Sequence, residues 1–237
     1  MQRRLIIAID GPAAGGKGTI ALRLAERLGY VYVDTGAMYR AVAWEALRRR
    51  ISLEDEAALQ ALAESLDITF RREVQDGHVR YRVWVDGEDV SEAIRRPEVD
   101  HASSVVAQYP GVRAALVEKQ RALAREGGVV MEGRDISTVV LPHADVKLFI
   151  TASLAERARR RYEQRRQAGV ATTLAEVQAE LAERDRRDSQ RRAAPMRIPE
   201  DAIVVDTTGL DVDTSLHLVW RLVRPHLTSE DGVQAQV

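Results

Sequence analysis

The sequence predicts an α/β protein: a doubly wound, five-stranded parallel sheet that carries a small antiparallel β insert and a pair of arginine-rich helices. Three observations predict it. Five short apolar runs alternate with stretches of helical spacing, the pattern of parallel strands buried on both faces and joined by right-handed crossovers. Residues 67–90 break that pattern and alternate apolar with polar residues, as a small hairpin or three-stranded sheet does. A glycine-rich loop joins the first apolar run to the first helical stretch.

Along the chain, "RLIIAI" (4–9) is a continuous apolar run bounded by Gly11 and Pro12, and reads as the first strand. Residues 17–28 put Ile20, Leu24 and Leu28 on one helical face and close at Gly29. A second short strand covers 30–33; the chain then turns at Asp34-Thr35-Gly36 and continues as a helix over 37–49. Residues 54–65, rich in alanine and leucine, form another helix. Within the insert, Asp76-Gly77 and Asp86-Gly87 are turn signals. Helices follow over 98–107 and 112–125, parted by Pro110-Gly111. "GVVME" (128–132) and "DVKLFIT" (145–151) are further buried strands, and "AIVVD" (202–206) is the last. Between the last two lie the arginine-rich helices, 154–167 and 174–192. A helix over 211–224 closes the fold, and residues 228–237 read as a polar, disordered tail. In such a sheet, ligands bind beyond the carboxyl ends of the strands.

Composition narrows the function. A formal net charge of −1 over 237 residues makes no case for bulk nucleic-acid or membrane binding. No apolar run approaches the ~18 residues of a membrane span, and the apolar run after Arg3-Arg4 is too short for a signal sequence. Cysteine is absent, which excludes disulfides, thiolate catalysis and zinc–thiolate sites and fits a cytoplasmic protein. The five histidines (His78, His101, His143, His217, His226) are scattered, with no pair at metal-ligand spacing. Asparagine is absent too, and the 35 basic residues are 32 arginines and three lysines. That fits a heat-resistant protein, although a GC-rich genome gives the same arginine bias.

The loop after the first strand is Gly11-Pro12-Ala13-Ala14-Gly15-Gly16-Lys17-Gly18-Thr19. Gly11, Gly16 and Lys17 satisfy the G-x-x-x-x-G-K core of a P-loop, in the strand–loop–helix context that the motif requires. Its glycines let successive N–H groups point inward, the helix N-terminus adds partial positive charge, and Lys17 reaches the β- and γ-phosphates. The position after Lys17 is Gly18 where the commoner motif has Ser or Thr, so no P-loop hydroxyl stands there to hold a magnesium ion.

A P-loop alone leaves hydrolysis, switching and transfer open. "VDTGAMYRA" (33–41) places an acid, a hydroxyl and a glycine at a strand end beside the cradle, with Arg40 one turn beyond. A hydroxyl and a guanidinium there suit a second phosphate; equally, Asp34 or Thr35 caps the helix and Arg40 is solvated. Residues 152–195 hold 11 arginines against 7 acids, a local excess of +4. Arg184, Asp188 and Arg191 fall four and three apart, on one helical face. The segment lies between two core strands, where P-loop kinases carry a lid, and Arg157 and Arg161 are further candidates for the transferring phosphates.

"DTGAMYRA" (34–41), "EGRDISTVV" (132–140) and "ERDRRDSQR" (183–191) occur in the order and at about the spacing of bacterial cytidylate kinases. The sequence resembles that family of P-loop nucleoside-monophosphate kinases from Leu5 to about Arg224, and the insert matches the small sheet with which the family enlarges its monophosphate-binding region. Ser137 departs from it, standing where the family usually has glycine.

The resemblance implies transfer of the γ-phosphoryl of ATP to CMP or dCMP. It implies that Thr35, Arg40 and Arg134 hold the acceptor phosphate, that Ser104 and Arg113 in "ASSVVAQYPGVR" read the cytosine, and that Arg184, Asp188 and Arg191 contact sugar and base. Lys17, Arg134, Asp135 and Arg184 form the expected catalytic set, with Asp135 also beside the acceptor. Cytosine offers acceptors at N3 and O2 where uracil has an N–H at N3, so an arginine on that edge favours cytosine. The acceptor is largely a dianion at pH 7, so no general base is needed. Mg²⁺ is expected through phosphates and water with no direct protein ligand, and Asp34, Glu132 and Asp135 either position that hydrated ion or orient arginines.

The expected map is a P-loop core (1–36, 100–151 and 196–227), a monophosphate-binding region with the β insert (37–99), a helical lid (152–195) and the tail. The expected partners are ATP and CMP or dCMP, with no nucleic acid and no membrane, for a cytoplasmic monomer. The alternatives are another small-acceptor P-loop kinase, or a P-loop ATPase or switch.

Overall fold

The computed structural model describes residues 4–75, 78–191 and 193–227. The turn expected at Asp76-Gly77 and the tail expected over 228–237 lie outside them. The strands are β1 (Ile6–Asp10), β2 (Val31–Asp34), β3 (Ile68–Gln75), β4 (His78–Val85), β5 (Glu88–Asp89), β6 (Val129–Gly133), β7 (Val146–Thr151) and β8 (Ile203–Asp206). The helices are α1 (Lys17–Leu28), α2 (Thr35–Arg48), α3 (Glu56–Ser65), α4 (Pro97–Val106), α5 (Pro110–Leu123), α6 (Leu154–Gln167), α7 (Leu174–Gln190) and α8 (Val212–Val223).

Five strands form the expected sheet in the order β2–β6–β1–β7–β8, with parallel ladders from β6 through β8. β6, not β2, is therefore the strand beside β1. Sequence places β2 next after β1, but the doubly wound path returns β6 to the slot between them. The insert is a separate three-stranded sheet, with antiparallel pairs β3–β4 and β4–β5.

The chain divides into two compact units, one of Met1–Tyr32 with Ala124–Val237, the other of Val33–Leu123. In the first, β1 and β6 are buried along their whole length, as strands covered on both faces must be. The core there gathers Ile7, Ile9, Leu24, Leu148, Ile150 and Trp220 from the sheet, α1 and α8. A smaller cluster joins Ala158 of α6 and Val177 and Leu181 of α7 to Ala13 of the glycine-rich loop. In the second unit, α2 packs on α4 and α3 on α5, around Met38, Leu59, Leu66, Val99 and Leu116.

Several helix starts follow side-chain caps. The Asp34 carboxylate accepts from the Ala37 N–H at 3.0 Å, so α2 begins at Thr35 and the expected turn at 34–36 is the helix N-terminus itself. Ser153 caps α6. Thr173 and Glu176 make a reciprocal capping box at α7.

Candidate active site

β1 ends at Asp10 and the chain reverses through Gly11–Gly16 before α1 starts at Lys17. Only glycine fits at position 11: φ is +146°, and a Cβ would lie 2.0 Å from the backbone oxygen of Ile150. Gly16, at φ +89°, precedes α1 without a side-chain cap. The first amides of α1 are thus left to an anion rather than to a cap. The loop is braced from behind. The Arg157 guanidinium donates to the carbonyls of Ala152 at 2.9 Å and Ala13 at 3.4 Å. Arg160 donates to the hydroxyl of Thr207 at 3.0 Å and to its carbonyl at 2.7 Å, while the Thr207 hydroxyl reaches the Gly15 carbonyl at 3.2 Å. Pro12, Ala13, Ala14 and Gly15 complete the reversal, and Thr19 is exposed on the first turn of α1.

Lys17 is buried, and its Nζ lies 3.2 Å from Oε2 of Glu132 at the end of β6. The Tyr32 hydroxyl donates to Oε1 of the same carboxylate at 3.1 Å. A Cβ at position 18 would come within 2.9 Å of that Oε1, so Gly18 leaves Glu132 its room.

Behind the cradle, Asp10 is fully buried. Its carboxylate accepts from the N–H of Ile136 at 2.7 Å, the N–H of Ser137 at 2.8 Å, and the Ser137 hydroxyl. Burial raises the Asp10 pKa above the ordinary aspartate value even though these donors pull it down. The bonds pin a π-helical turn, Ile136–Val140, directly after Asp135, whose carbonyl accepts from Val139 and Val140. The departure at Ser137 thus supplies a hydroxyl donor to a buried carboxylate.

Arg134 runs from this loop to α7, where its Nε donates to Asp188 at 2.8 Å with both side chains largely covered. Burial works most strongly against the guanidinium, yet the charge and hydrogen bond of Asp188, with the charges of Glu132 and Asp185, together outweigh it and hold the Arg134 pKa above its ordinary value. For Asp188 burial pushes upward, but Arg134, Arg191 and Arg184 together hold the carboxyl below the usual range. One acid therefore gathers three of the arginines singled out from sequence around itself. Arg157 also pairs with Asp185 of α7 at 2.7 Å. α7 ends at Gln190, short of the expected 192, and Arg191 follows with extended backbone.

In the second unit, Asp34 both caps α2 and pairs with Arg40 at 2.7 Å. The cap and the guanidinium, weighed above as alternatives to a phosphate site, are parts of one arrangement, and Arg40 is not simply solvated. Thr35 is buried at the first position of α2. Arg113 of α5 is buried, stands 5.5 Å from the centroid of the Tyr39 ring, and donates to the Ala107 carbonyl at 3.3 Å. Ser104 is half-buried on α4.

Sequence reasoning missed Asp10, Tyr32, Arg160 and Thr207 as parts of the site. The only local signals were an acid closing an otherwise apolar strand and the "DTTG" after the last one. Among the described residues, no group of three or more His, Cys, Asp or Glu side chains is placed to hold a metal ion, and no helix is long and apolar enough to cross a membrane.

A parallel sheet, an uncapped glycine cradle with its lysine, and arginines converging beside it define the class: a P-loop nucleotide-binding phosphotransferase. Residues 7–224 match the family model described as Cytidylate kinase. The chain belongs to the cytidylate kinase family, and is a nucleoside-monophosphate kinase. It is 50% identical to the cytidylate kinase of Caldanaerobacter subterraneus subsp. tengcongensis, over 94% of this chain and 96% of the relative. It is 51% identical to that of Desulfitobacterium hafniense, over 90% of each, and 48% identical to that of Geobacillus kaustophilus, over 96% of this chain and 100% of the relative. The crystal structure of an uncharacterized protein from Eubacterium ventriosum shares the fold, with a TM-score of 0.53 at 13% identity over 93% of this chain and 99% of that one.

Proposed function

We propose that the chain carries out the reaction its family name states, moving the γ-phosphoryl of ATP to the phosphate of CMP or dCMP to give ADP and CDP or dCDP. What supports this most is that the match over residues 7–224 takes in the cradle, the Arg134–Asp135 turn and the arginine-rich helices together. ATP lies on the amides of residues 11–19, with Lys17 turning to its β- and γ-phosphates. Arg134, Arg184 and Lys17 neutralise the charge that builds on the transferring group, and Asp135 fixes the turn that presents Arg134. Thr35, Arg40 and Arg134 hold the acceptor phosphate. Ser104 and Arg113 read the base edge, and Asp188 and Arg191 the sugar and base. The acceptor is already an anion, so no residue need remove a proton from it.

The donor set fits Mg²⁺ held through water and the phosphates of ATP. Gly18 offers no hydroxyl, and Glu132 brings a carboxylate to the cradle mouth beside Lys17. When bound, the ion supplies charge neutralisation at the β- and γ-phosphates. Water competes with CMP as nucleophile, so the arginines should assemble only when both substrates are present. Hydrogen exchange across 152–195 and 37–99 should then slow with CMP plus an ATP analogue. The same reading has the enzyme acting as a cytoplasmic monomer without nucleic acid, and sedimentation checks the monomeric state.

The decisive experiment is coupled ADP release from ATP and Mg²⁺ with CMP, dCMP, UMP, AMP or no acceptor. Fast turnover with CMP and dCMP, little with UMP, and near silence alone is expected. Equal turnover with UMP or AMP would overturn the assignments of Ser104, Arg113 and Arg191. One rate regardless of acceptor would overturn the kinase reading.

A further inference from the structure

We propose that Tyr32 is a positioning residue for ATP: it acts through Glu132 on Lys17, and Gly18 keeps open the space that this chain of contacts occupies. The proposal rests on ATP binding at the cradle and on nothing about the acceptor.

The Glu132 carboxylate is nearly covered, with one oxygen on Lys17 at 3.2 Å and the other on the Tyr32 hydroxyl at 3.1 Å. The oxygen that Tyr32 holds is the one that a Cβ at position 18 would approach to 2.9 Å. A serine or threonine at that position, as in the commoner P-loop, would have to displace Glu132. Here the oxygen at that spot comes from Glu132, and Tyr32 fixes where it sits.

Binding of ATP then becomes an exchange. The phosphates draw the Lys17 ammonium away from Glu132 and leave a covered carboxylate beside a polyanion. The Tyr32 hydroxyl matters on both sides of that exchange. Before ATP arrives, it holds Oε1 and so keeps the carboxylate from turning both oxygens onto Lys17. After ATP arrives, it donates to the negative charge that Lys17 has left, where a covered anion needs every donor. Loss of the hydroxyl strengthens the competitor and destabilises the product of the exchange, so both consequences weaken ATP binding. Neither consequence survives if residue 132 carries no charge.

The test is a double-mutant cycle on the full-length protein, read as the calorimetric Kd for ATP in EDTA with no acceptor present. In the native background, Tyr32→Phe should weaken ATP binding about three- to tenfold, a part of what a hydrogen bond to a charged group is worth, because the bond is present on both sides of the exchange. In a Glu132→Gln background the same change should cost less than about twofold. An equal loss in both backgrounds would make Tyr32 a packing residue and overturn the proposal, as would no loss in either. If Tyr32→Phe fails to fold, Tyr32→His, which keeps a ring donor, must retain more ATP affinity than Tyr32→Leu, and equal affinities would overturn the proposal. ATP affinity is read without CMP, so failure to phosphorylate CMP would count against the acceptor assignment and leave this measurement standing.

Discussion

The α6–α7 pair presents arginine–acid pairs of nearly the same length in two settings. On the side of the glycine cradle, Arg134–Asp188 at 2.8 Å and Arg157–Asp185 at 2.7 Å are largely covered, the Arg157 side chain being 8% exposed. On the solvent side, Arg186–Glu183 at 2.8 Å and Arg166–Glu163 at 3.1 Å close one turn apart along a helix, with Arg186 58% exposed. Distance does not distinguish the two sets; water does. A solvated pair exchanges good hydration for a contact of similar worth and nets about 0–1 kcal/mol. A covered pair has already lost its water, so removing one partner strands the other. The arginine count that marks this segment is therefore a mixture of covered and solvated members.

The strongest way to break the comparison is Arg134→Ala. It should lower kcat/KM for CMP by roughly 10³, the lower end of what an arginine at a phosphoryl transition state supplies, read in the coupled ADP assay. A loss no greater than that of a solvent-side arginine would erase the distinction between the two sets.

Asp10 extends the comparison to a covered acid whose partners are neutral donors. Asp10→Asn turns one acceptor oxygen into a donor facing the amides of Ile136 and Ser137, and should cost about 2–4 kcal/mol in urea unfolding. Ser137→Gly removes only the hydroxyl donor, and should cost about 1 kcal/mol while kcat stays within about twofold.

Glu156 stands between the two settings, its own side chain 13% exposed and that of Arg159 60%. Hydrogen bonds from Arg159 outweigh the upward push of burial, and with Arg160 they lower its pKa from 4.5 to about 2. Its ionised form is favoured in the folded chain, so its stabilising share is complete above about pH 4.5 and is lost as the pH falls toward 2. Glu156→Gln should lower Tm by about 1–3 °C at pH 7. That difference from the native protein should shrink steadily in melts between pH 4.5 and 2. The smallest effect belongs to Arg186→Ala, where Tm should stay within about 1 °C and kcat/KM within about twofold.

Much of this was legible because it is local. The five apolar runs, the alternation of the insert and the glycine-rich loop each carry their signal within a dozen residues, and each became the element it predicted. Helix starts were less so: α2 begins two residues earlier than expected because the Asp34 side chain makes a helix N-terminus out of what reads as a turn. Strand order was not legible, since nothing near β1 says that β6 will lie beside it. The cradle's supports were hidden for the same reason. Tyr32 meets Glu132 across 100 residues, and Asp10 meets Ser137 across 127. Ser104 and Arg113 came only from resemblance, because a serine and an arginine around a helix junction carry no chemistry of their own.

That separation bears on the order in which the molecule can be made. β1 and the glycine loop leave the ribosome before β6 and β7, yet β1 lies between those two strands, and the Thr207 hydroxyl that braces Gly15 arrives 192 residues later. Local helices can form during synthesis, but long-range strand pairing must await the partner. Nascent chains stalled before β8 should therefore carry the complete nucleotide motif and still fail to retain ATP. The cell thus receives a kinase whose nucleotide cradle is made well before the strands that render it competent.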